Sequence, residues 1–168
     1  MEPKVSIIMG STSDWHVMEK TAKILNDFKI PFEVNALSAH RTPEKVSEFA
    51  KNAQKRGIKI IIAAAGMAAH LPGVIAASSS LPVIGVPINA SLDGWDSVLS
   101  ILQMPPGIPV ATVGVNAAQN AGILAAQILA TGDKKVAETV SKFRSTLKEK
   151  IVKANEDFSK IKYKYKTN

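Results

Sequence analysis

Residues 5–14 read VSIIMGSTSD, and the class of the fold is already visible in them. Their first half is an apolar run rich in branched side chains, which is typical of a buried β-strand. Their second half consists of residues that favour turns and helix starts. Residues 15–28 then place apolar side chains at helical spacing. A strand, a loop and a helix are therefore predicted in succession.

The same succession repeats along the chain. Apolar runs predict further strands at Phe32–Leu37, Ile58–Ala64, Pro82–Val86 and Ile108–Val113. Helical spacing predicts helices at residues 43–56, 74–79, 117–130 and 133–157, and one more that Asp93 caps and that ends near Gln103. This alternation predicts an α/β fold: three αβα layers around a central, mainly parallel, flavodoxin-like sheet, followed by a C-terminal helix.

The length of 168 residues favours one domain. We expect a single α/β domain over residues 1–132, without a linker inside it. Residues 133–168 form a charged C-terminal helix and tail, which packs on the same domain or on a neighbouring subunit.

The net charge of +7 belongs to the C-terminal segment alone. Residues 134–168 hold eleven Lys or Arg against four Asp or Glu, whereas residues 1–133 hold ten of each sign. A lysine-rich terminal segment is ordinarily a solvated helix face, and no nucleic-acid recognition motif accompanies it. We therefore expect no nucleic-acid partner.

Composition also bears on location and assembly. The chain has no cysteine, no signal-peptide pattern at its start and no apolar span of membrane length, so we expect a cytoplasmic protein without a membrane partner. Residues 60–132 contain no Lys or Arg, and their only acids are Asp93 and Asp96. A monomer would leave much of that apolar stretch exposed, which predicts a homo-oligomer.

Three polar or glycine-rich loops follow the first three predicted strands. Because parallel sheets bind ligands at the carboxyl ends of their strands, these loops are expected to share one site. The first loop, Gly10–Asp14, offers hydroxyls and backbone N–H groups at a helix start, a suitable cradle for an anion. It lacks the glycine spacing of a dinucleotide fingerprint and the lysine of a P-loop, and a helix cap without any ligand is the alternative.

The second loop reads Ser38-Ala39-His40-Arg41-Thr42-Pro43. It places a histidine, which titrates near neutral pH, beside an arginine, whose fork of donors suits phosphate. Thr42 and Pro43 are a strong helix start, with Thr as N-cap and Pro at the first helical position. The loop predicts an anion site next to an acid/base group, although such a pair can also be purely structural.

The third loop is Ala65–Gly73, where small residues leave room for a flat ring. It contains His70, which is either a second site residue or a core histidine. No metal is expected, because His40 and His70 lie in separate loops and no carboxylate pattern completes a ligand set. A serine hydrolase is unsupported, since the Gly-x-Ser-x-Gly motif is missing.

Taken together, the loops resemble the N5-carboxyaminoimidazole ribonucleotide mutase family of purine biosynthesis. The matching motifs are GSxSDW at 10–15, SAHRTP at 38–43, AGxAAHLPG at 65–73, LPVIGVP at 81–87 and DSxLSIxQMPxGIPVAT at 96–112. The resemblance implies an isomerase whose nucleotide-binding catalytic domain is residues 1–132. It moves a carboxylate from the exocyclic nitrogen of a ribonucleotide to ring carbon C4, by decarboxylation and recarboxylation, without cofactor or metal. The resemblance also implies a homo-octamer.

The resemblance assigns roles to residues. His40 is the acid and base of both steps, and His70 is the second catalytic histidine. The substrate-binding residues it implies are Ser11, Ser13, Asp14, Ser38, Arg41, Ala65, Gly66 and Leu71. Arg41 is assigned to the phosphate, whereas Asp14 is assigned to the ribose because a carboxylate repels phosphate. Met67 occupies a position that is glycine in the family, so its side chain must point away from the ligand or narrow the pocket.

Two other functions stay open. A related aminoimidazole ribonucleotide carboxylase uses free carbon dioxide on the same fold. Its third loop is similar to Gly-Arg-Ser-Asn, so the stretch His70-Leu71-Pro72 favours the mutase. The other alternative is a non-catalytic nucleotide-binding module, which predicts that His40→Asn keeps full biological function.

Overall fold

The computed structural model describes all residues from Met1 to Asn168. Its centre is a parallel sheet with the strand order β2-β1-β3-β4-β5. The strands are β1 (Val5–Met9), β2 (Phe32–Ala36), β3 (Ile60–Gly66), β4 (Val83–Ile88) and β5 (Ala111–Thr112). This order is that of flavodoxin-like folds, so the predicted fold class is confirmed.

Helices cover both faces of the sheet. They are α1 (Trp15–Asp27), α2 (Pro43–Ala53), α3 (Leu71–Ser78), α4 (Trp95–Leu102), α5 (Ala118–Ala130) and α6 (Lys134–Lys160). One core cluster joins α1, α5 and the start of α6 to one face, and a second joins α2, α3 and α4 to the other. No helix is both long enough and apolar enough to cross a membrane.

The central strands explain why this sheet is buried on both sides. In β1, Ile7 enters one core cluster and the next residue, Ile8, enters the other. In β3, Ile61 and Ile62 divide in the same way, and all four side chains are fully buried. Successive strand residues point to opposite faces, so an uninterrupted apolar run is what a doubly covered strand requires.

Three predicted boundaries are wrong, and each has a local cause. Helix α3 begins at Leu71 rather than at residue 74, because Pro72 needs no hydrogen-bond acceptor in a first helical turn. Strand β5 pairs over Ala111–Thr112 only, and in the predicted range 108–113 Pro109 has no backbone donor for the sheet. Asp93 does not cap α4; it lies at φ +53°, and Gly94 occupies the N-cap position.

Helix α6 has two different halves. Its first turns pack on the domain core through Val136, Val140 and Phe143, whose ring meets that of Phe28 edge to face at 5.2 Å. The second half leaves Ile151 and other apolar side chains exposed. The first half of the helix therefore belongs to the same packed unit as residues 1–132.

Candidate active site

A cavity of about 520 Å³ opens at the carboxyl edge of the sheet, where β1, β2 and β3 end. Its walls come from the three loops named above and from one residue that follows β4. The lining residues are Gly10, Ser11, Ser13, Asp14, Ser38, Ala39, His40, Arg41, Ala65, Gly66, Met67, Ala68, His70, Leu71 and Ala90. All the catalytic and substrate-binding residues expected from the sequence therefore line one cavity, although what each does there stays a prediction.

The first loop contributes the Ser11 hydroxyl to the cavity wall. The Ser11 Oγ accepts hydrogen bonds from the Ser13 N–H at 3.3 Å and from the Ser13 hydroxyl at 2.8 Å. Because neither of these bonds uses the Ser11 hydroxyl proton, that proton can be donated to a ligand oxygen. Ser11 is the N-cap of a single 3₁₀ turn, Thr12–Asp14, which leads directly into α1.

Asp14 is buried at the wall of this cavity. Burial raises the pKa of its carboxyl above the ordinary value of 3.8, against the smaller opposite effects of Ser13, Ser11, His16 and Arg41. A desolvated carboxylate with few partners is a strong acceptor for donors that a ligand brings.

Arg41 connects the second loop to the first. Its Nη2 donates to the Gly10 carbonyl oxygen at 2.7 Å, and its Nε donates to the Ser38 Oγ at 3.4 Å. No carboxylate lies within ion-pair distance of Arg41. The guanidinium is thus held in place by neutral groups, while its charge and its remaining N–H donors are left for an anion.

The turn that carries Arg41 is closed by Thr42, in a way that the sequence did not indicate. Thr42 does precede α2 as the N-cap residue, but its hydroxyl makes no bond to that helix. The hydroxyl instead accepts from the Ser38 N–H at 3.0 Å and donates to the Ser38 carbonyl at 3.1 Å. Thr42 therefore fixes the shape of the loop rather than the end of the helix.

The two histidines of the site are in direct contact. His40 Nε2 and His70 Nδ1 lie 2.8 Å apart, and the rings meet edge to face at 83°. Both side chains are exposed, so His70 is not a core histidine. A hydrogen bond of this length needs a proton on one nitrogen and a lone pair on the other. The pair can therefore take up or release a proton while each ring holds the other in place.

The third loop is shaped by a close backbone approach. A Cβ on Gly66 would lie 2.8 Å from the Cβ of Ala90 and 3.2 Å from the carbonyl oxygen of Ile88. Only glycine fits there, and the contact brings the loop after β4 into the wall of the cavity. The sequence analysis did not include Ala90 in the site. The apolar run of β4 could have indicated it, because the loop that follows a buried parallel strand reaches the same edge of the sheet.

A second cavity of about 630 Å³ lies at the opposite edge of the sheet, near Lys4 and Ile60, where β1 and β3 begin. It contains no histidine, and its one carboxylate, Asp133, accepts hydrogen bonds from the first backbone N–H groups of α6. No cluster of three or more potential metal-ligating side chains occurs anywhere in the chain. Paired acid/base groups beside a free cation are found only in the cavity at the carboxyl edge.

Comparison with known proteins gives a consistent set of matches. A family model described as AIR carboxylase matches residues 4–150. Proteins named N5-carboxyaminoimidazole ribonucleotide mutase are 56% identical in Pyrococcus abyssi (87% of this chain and 84% of the relative) and 51% identical in Thermotoga maritima (96% and 95%). The Schizosaccharomyces pombe protein named phosphoribosylaminoimidazole carboxylase is 50% identical over 96% of this chain, which spans 30% of that relative.

Solved structures agree with the sequence comparisons. The crystal structure of Treponema denticola PurE2-S38D matches with a TM-score of 0.84 at 34% identity, over 97% of this chain and 100% of that one. Treponema denticola PurE matches with a TM-score of 0.80 at 32% identity, over 96% and 99%.

Proposed function

Because this chain belongs to the AIR carboxylase family, we propose that it converts N5-carboxyaminoimidazole ribonucleotide to 4-carboxy-5-aminoimidazole ribonucleotide in purine biosynthesis. The enzyme is a mutase, an isomerase that moves one carboxylate within its substrate. Relatives that bear this name are 50–56% identical over most of their length. The observation that carries the proposal is the His40–His70 pair beside the free charge of Arg41 in one cavity.

Substrate binding is assigned to the polar walls of the cavity. The phosphate lies against Arg41 and takes the free hydroxyl proton of Ser11, with Ser13 and Ser38 at its border. Asp14 accepts from the ribose hydroxyls, because a buried carboxylate would repel the phosphate. Ala65, Gly66 and Leu71, which are apolar and uncharged, face the imidazole, which needs a flat slot rather than charge.

The first chemical step breaks the bond between the exocyclic nitrogen and the carboxylate carbon. The bonding electron pair stays on nitrogen, which takes a proton from His40, and carbon dioxide is released inside the cavity. His40 is left neutral. The hydrogen bond between His40 Nε2 and His70 Nδ1 keeps the ring oriented while its charge changes.

The second step forms the new bond. Ring carbon C4 attacks the trapped carbon dioxide, and its electron pair becomes the bond to the carboxylate carbon. His40 then removes the C4 proton, which restores the aromatic ring and returns His40 to its starting protonation. One group serves both steps because the first leaves it ready for the second.

The carboxylase that fixes free carbon dioxide is the second candidate. It is favoured by the Schizosaccharomyces pombe relative, which is named phosphoribosylaminoimidazole carboxylase. The two candidates differ in the carbon source and share the cavity. At low bicarbonate, the mutase turns over the N-carboxylated substrate rapidly, whereas the carboxylase instead consumes aminoimidazole ribonucleotide.

The decisive experiment is a turnover assay with the N-carboxylated substrate on the wild type and on His40→Asn. We expect a loss of at least about 10²-fold in kcat with ligand binding largely kept, because proton transfer is removed and the anion site is not. Lys55→Asn is the control, since Lys55 is exposed and does not line the cavity, whereas the third histidine, His16, is bonded to the Ser13 carbonyl oxygen at 2.6 Å. Full turnover in His40→Asn would show that His40 is not the acid and base. A wild type without turnover, whose biological function His40→Asn keeps in full, would favour the non-catalytic binding module.

We also propose that copies of the chain assemble, as a homo-octamer, and that the enzyme is cytoplasmic. Support for assembly comes from an apolar patch around α4, formed by Leu92, Trp95, Leu99 and Leu102, in which Trp95 is 66% exposed. The patch lies in the stretch without Lys or Arg, and a free surface of this kind is costly in water. The exposed second half of α6 is a further surface for a neighbouring subunit.

Sedimentation tests the assembly. Leu99→Asp places a charge in the α4 patch and is expected to lower the sedimentation coefficient, whereas Lys51→Glu on the exposed side of α2 is expected to leave it unchanged. A wild-type monomer at micromolar concentration would contradict the assembly and leave the proposed chemistry untouched.

A further inference from the structure

Met67 is held in a backbone conformation that its side chain does not favour. Its φ is +57°, in the left-handed region that glycine adopts freely and that other L-residues adopt at a cost. The residues most often tolerated there are Asn and Asp, whose side chains bond locally, and methionine has no such bond to offer. A strained residue in a site loop persists only when the surrounding structure imposes it.

Both ends of the turn are fixed, so the conformation of Met67 is imposed. On one side, Gly66 pairs with Ile88 in the sheet and packs against Ala90. On the other side, the His70 N–H donates to the Ala68 carbonyl at 2.8 Å, and the His70 ring is bonded to His40. The direction of the Met67 side chain therefore follows from the same contacts that position the catalytic pair.

The Met67 side chain stands at the rim of the cavity. It lines the cavity and is 60% exposed, and it is the only side chain between residues 65 and 69 that is larger than a methyl group. Methionine is unbranched and flexible, so it can fold over a small apolar object without a fixed shape. Charged or hydroxyl groups would serve better if the rim had to hold phosphate.

The proposed reaction produces a small apolar molecule, carbon dioxide, inside the cavity. After the first step the cavity holds neutral carbon dioxide, which neither Arg41 nor the histidines can retain by charge. We propose that Met67 covers the imidazole end of the cavity and slows the escape of carbon dioxide before C4 captures it. This inference rests on the proposed function, and it makes Met67 a residue that decides between internal transfer and exchange with solution.

The test measures exchange during turnover. The wild type and the variants Met67→Ala, Met67→Gly and Met67→Leu convert N-carboxylated substrate in 13C-bicarbonate with carbonic anhydrase, and the label in the C4 carboxylate is determined by mass spectrometry. We expect label incorporation to rise about fivefold or more in Met67→Ala and Met67→Gly, because the barrier to escape falls, and to stay near the wild-type value in Met67→Leu.

The glycine and alanine variants separate the covering of the cavity by the Met67 side chain from the strain of its backbone. Alanine keeps the cost of the left-handed backbone and glycine removes it, so only Met67→Gly is expected to raise Tm. Equal labelling of the wild type and Met67→Ala overturns the proposal, as does complete labelling of the wild type. So does a lower sedimentation coefficient in Met67→Ala, which would make Met67 a contact between copies. A wild type that forms no product would instead refute the mutase function itself.

Discussion

Two arginine–carboxylate neighbourhoods of this chain use the same residue types in opposite ways. At β2, the Arg56 guanidinium donates two hydrogen bonds, of 2.8 and 3.0 Å, to the Glu33 carboxylate. At the carboxyl edge, Arg41 and Asp14 are near each other but form no ion pair. Arg56 and Glu33 neutralise each other, whereas the charges of Arg41 and Asp14 both remain available to a ligand.

The pKa values of the two carboxyl groups move in opposite directions for this reason. Burial raises the pKa of Glu33, but the hydrogen bonds from Arg56, Ser6 and Asn35 outweigh it and hold the pKa below the ordinary 4.5. Burial of Asp14 is not outweighed, and its pKa is raised. Unsatisfied polar groups in a cavity cost stability, and that cost is tolerated where a ligand completes the site.

Among the four charged residues of this comparison, the largest effect is expected at Arg41. Arg41→Ala removes the free cation, and we expect KM to rise about 10²-fold, since charge-assisted hydrogen bonds contribute about 1.5–3 kcal/mol. Thermal stability should change little, because Arg41 has no ionic partner to leave behind. Steady-state kinetics checks the rise in KM, and a Tm measurement on the same sample checks the stability. A large fall in Tm would show that Arg41 is needed for the fold and is not held free for a ligand.

Arg56→Ala is the matched substitution in the satisfied pair. It leaves the Glu33 carboxylate with the hydrogen bonds from Ser6 and Asn35 only, and it removes the contact between the guanidinium and the Phe49 ring, at 5.0 Å. We expect a loss of about 1–2 kcal/mol in the free energy of unfolding, with kcat/KM unchanged. Urea denaturation gives the first value, and an altered kcat/KM would show that β2 is coupled to the site.

Glu33→Gln sharpens the comparison through pH. A carboxyl group whose pKa is lower in the folded than in the unfolded state stabilises the fold at pH values above its unfolded pKa. This stabilisation is lost as pH falls through the folded pKa. The free energy of unfolding of the wild type should therefore be higher than that of Glu33→Gln at pH 7, and the difference should shrink as pH falls below 4.5 towards the folded pKa. Denaturation between pH 3 and 7 measures it, and a pH-independent difference would exclude the ionic origin.

Asp14→Asn should give the smallest change in stability, and of the opposite sign. Because the pKa of Asp14 is raised, the folded state holds a proton that the unfolded chain has released, and stability falls as pH rises from 3.8 through the folded pKa. Removing the charge is expected to raise Tm at pH 7 by less than about 3 °C while weakening substrate binding. A lower Tm would mean that the carboxylate is structurally required.

Much of the site could be predicted because parallel strands end at one edge. Loops after β1, β2 and β3 had to meet, so Asp14, Arg41 and His70 could be placed in one cavity from the order of the strands alone. Ala90 was missed because its loop carries no polar signal. The partner of the Thr42 hydroxyl was missed because a helix cap and a loop closure need the same residue type.

The amino-acid order alone established the α/β class, the position of the charge in α6 and the three loops. These depend on periodicity and on local backbone preferences, which act within a few residues of each other. Tertiary structure alone decided that His40 bonds His70 at 2.8 Å, that Arg41 stays unpaired while Arg56 does not, and that Met67 takes φ +57°. Such features depend on distances between strands far apart in sequence, and only packing sets those distances.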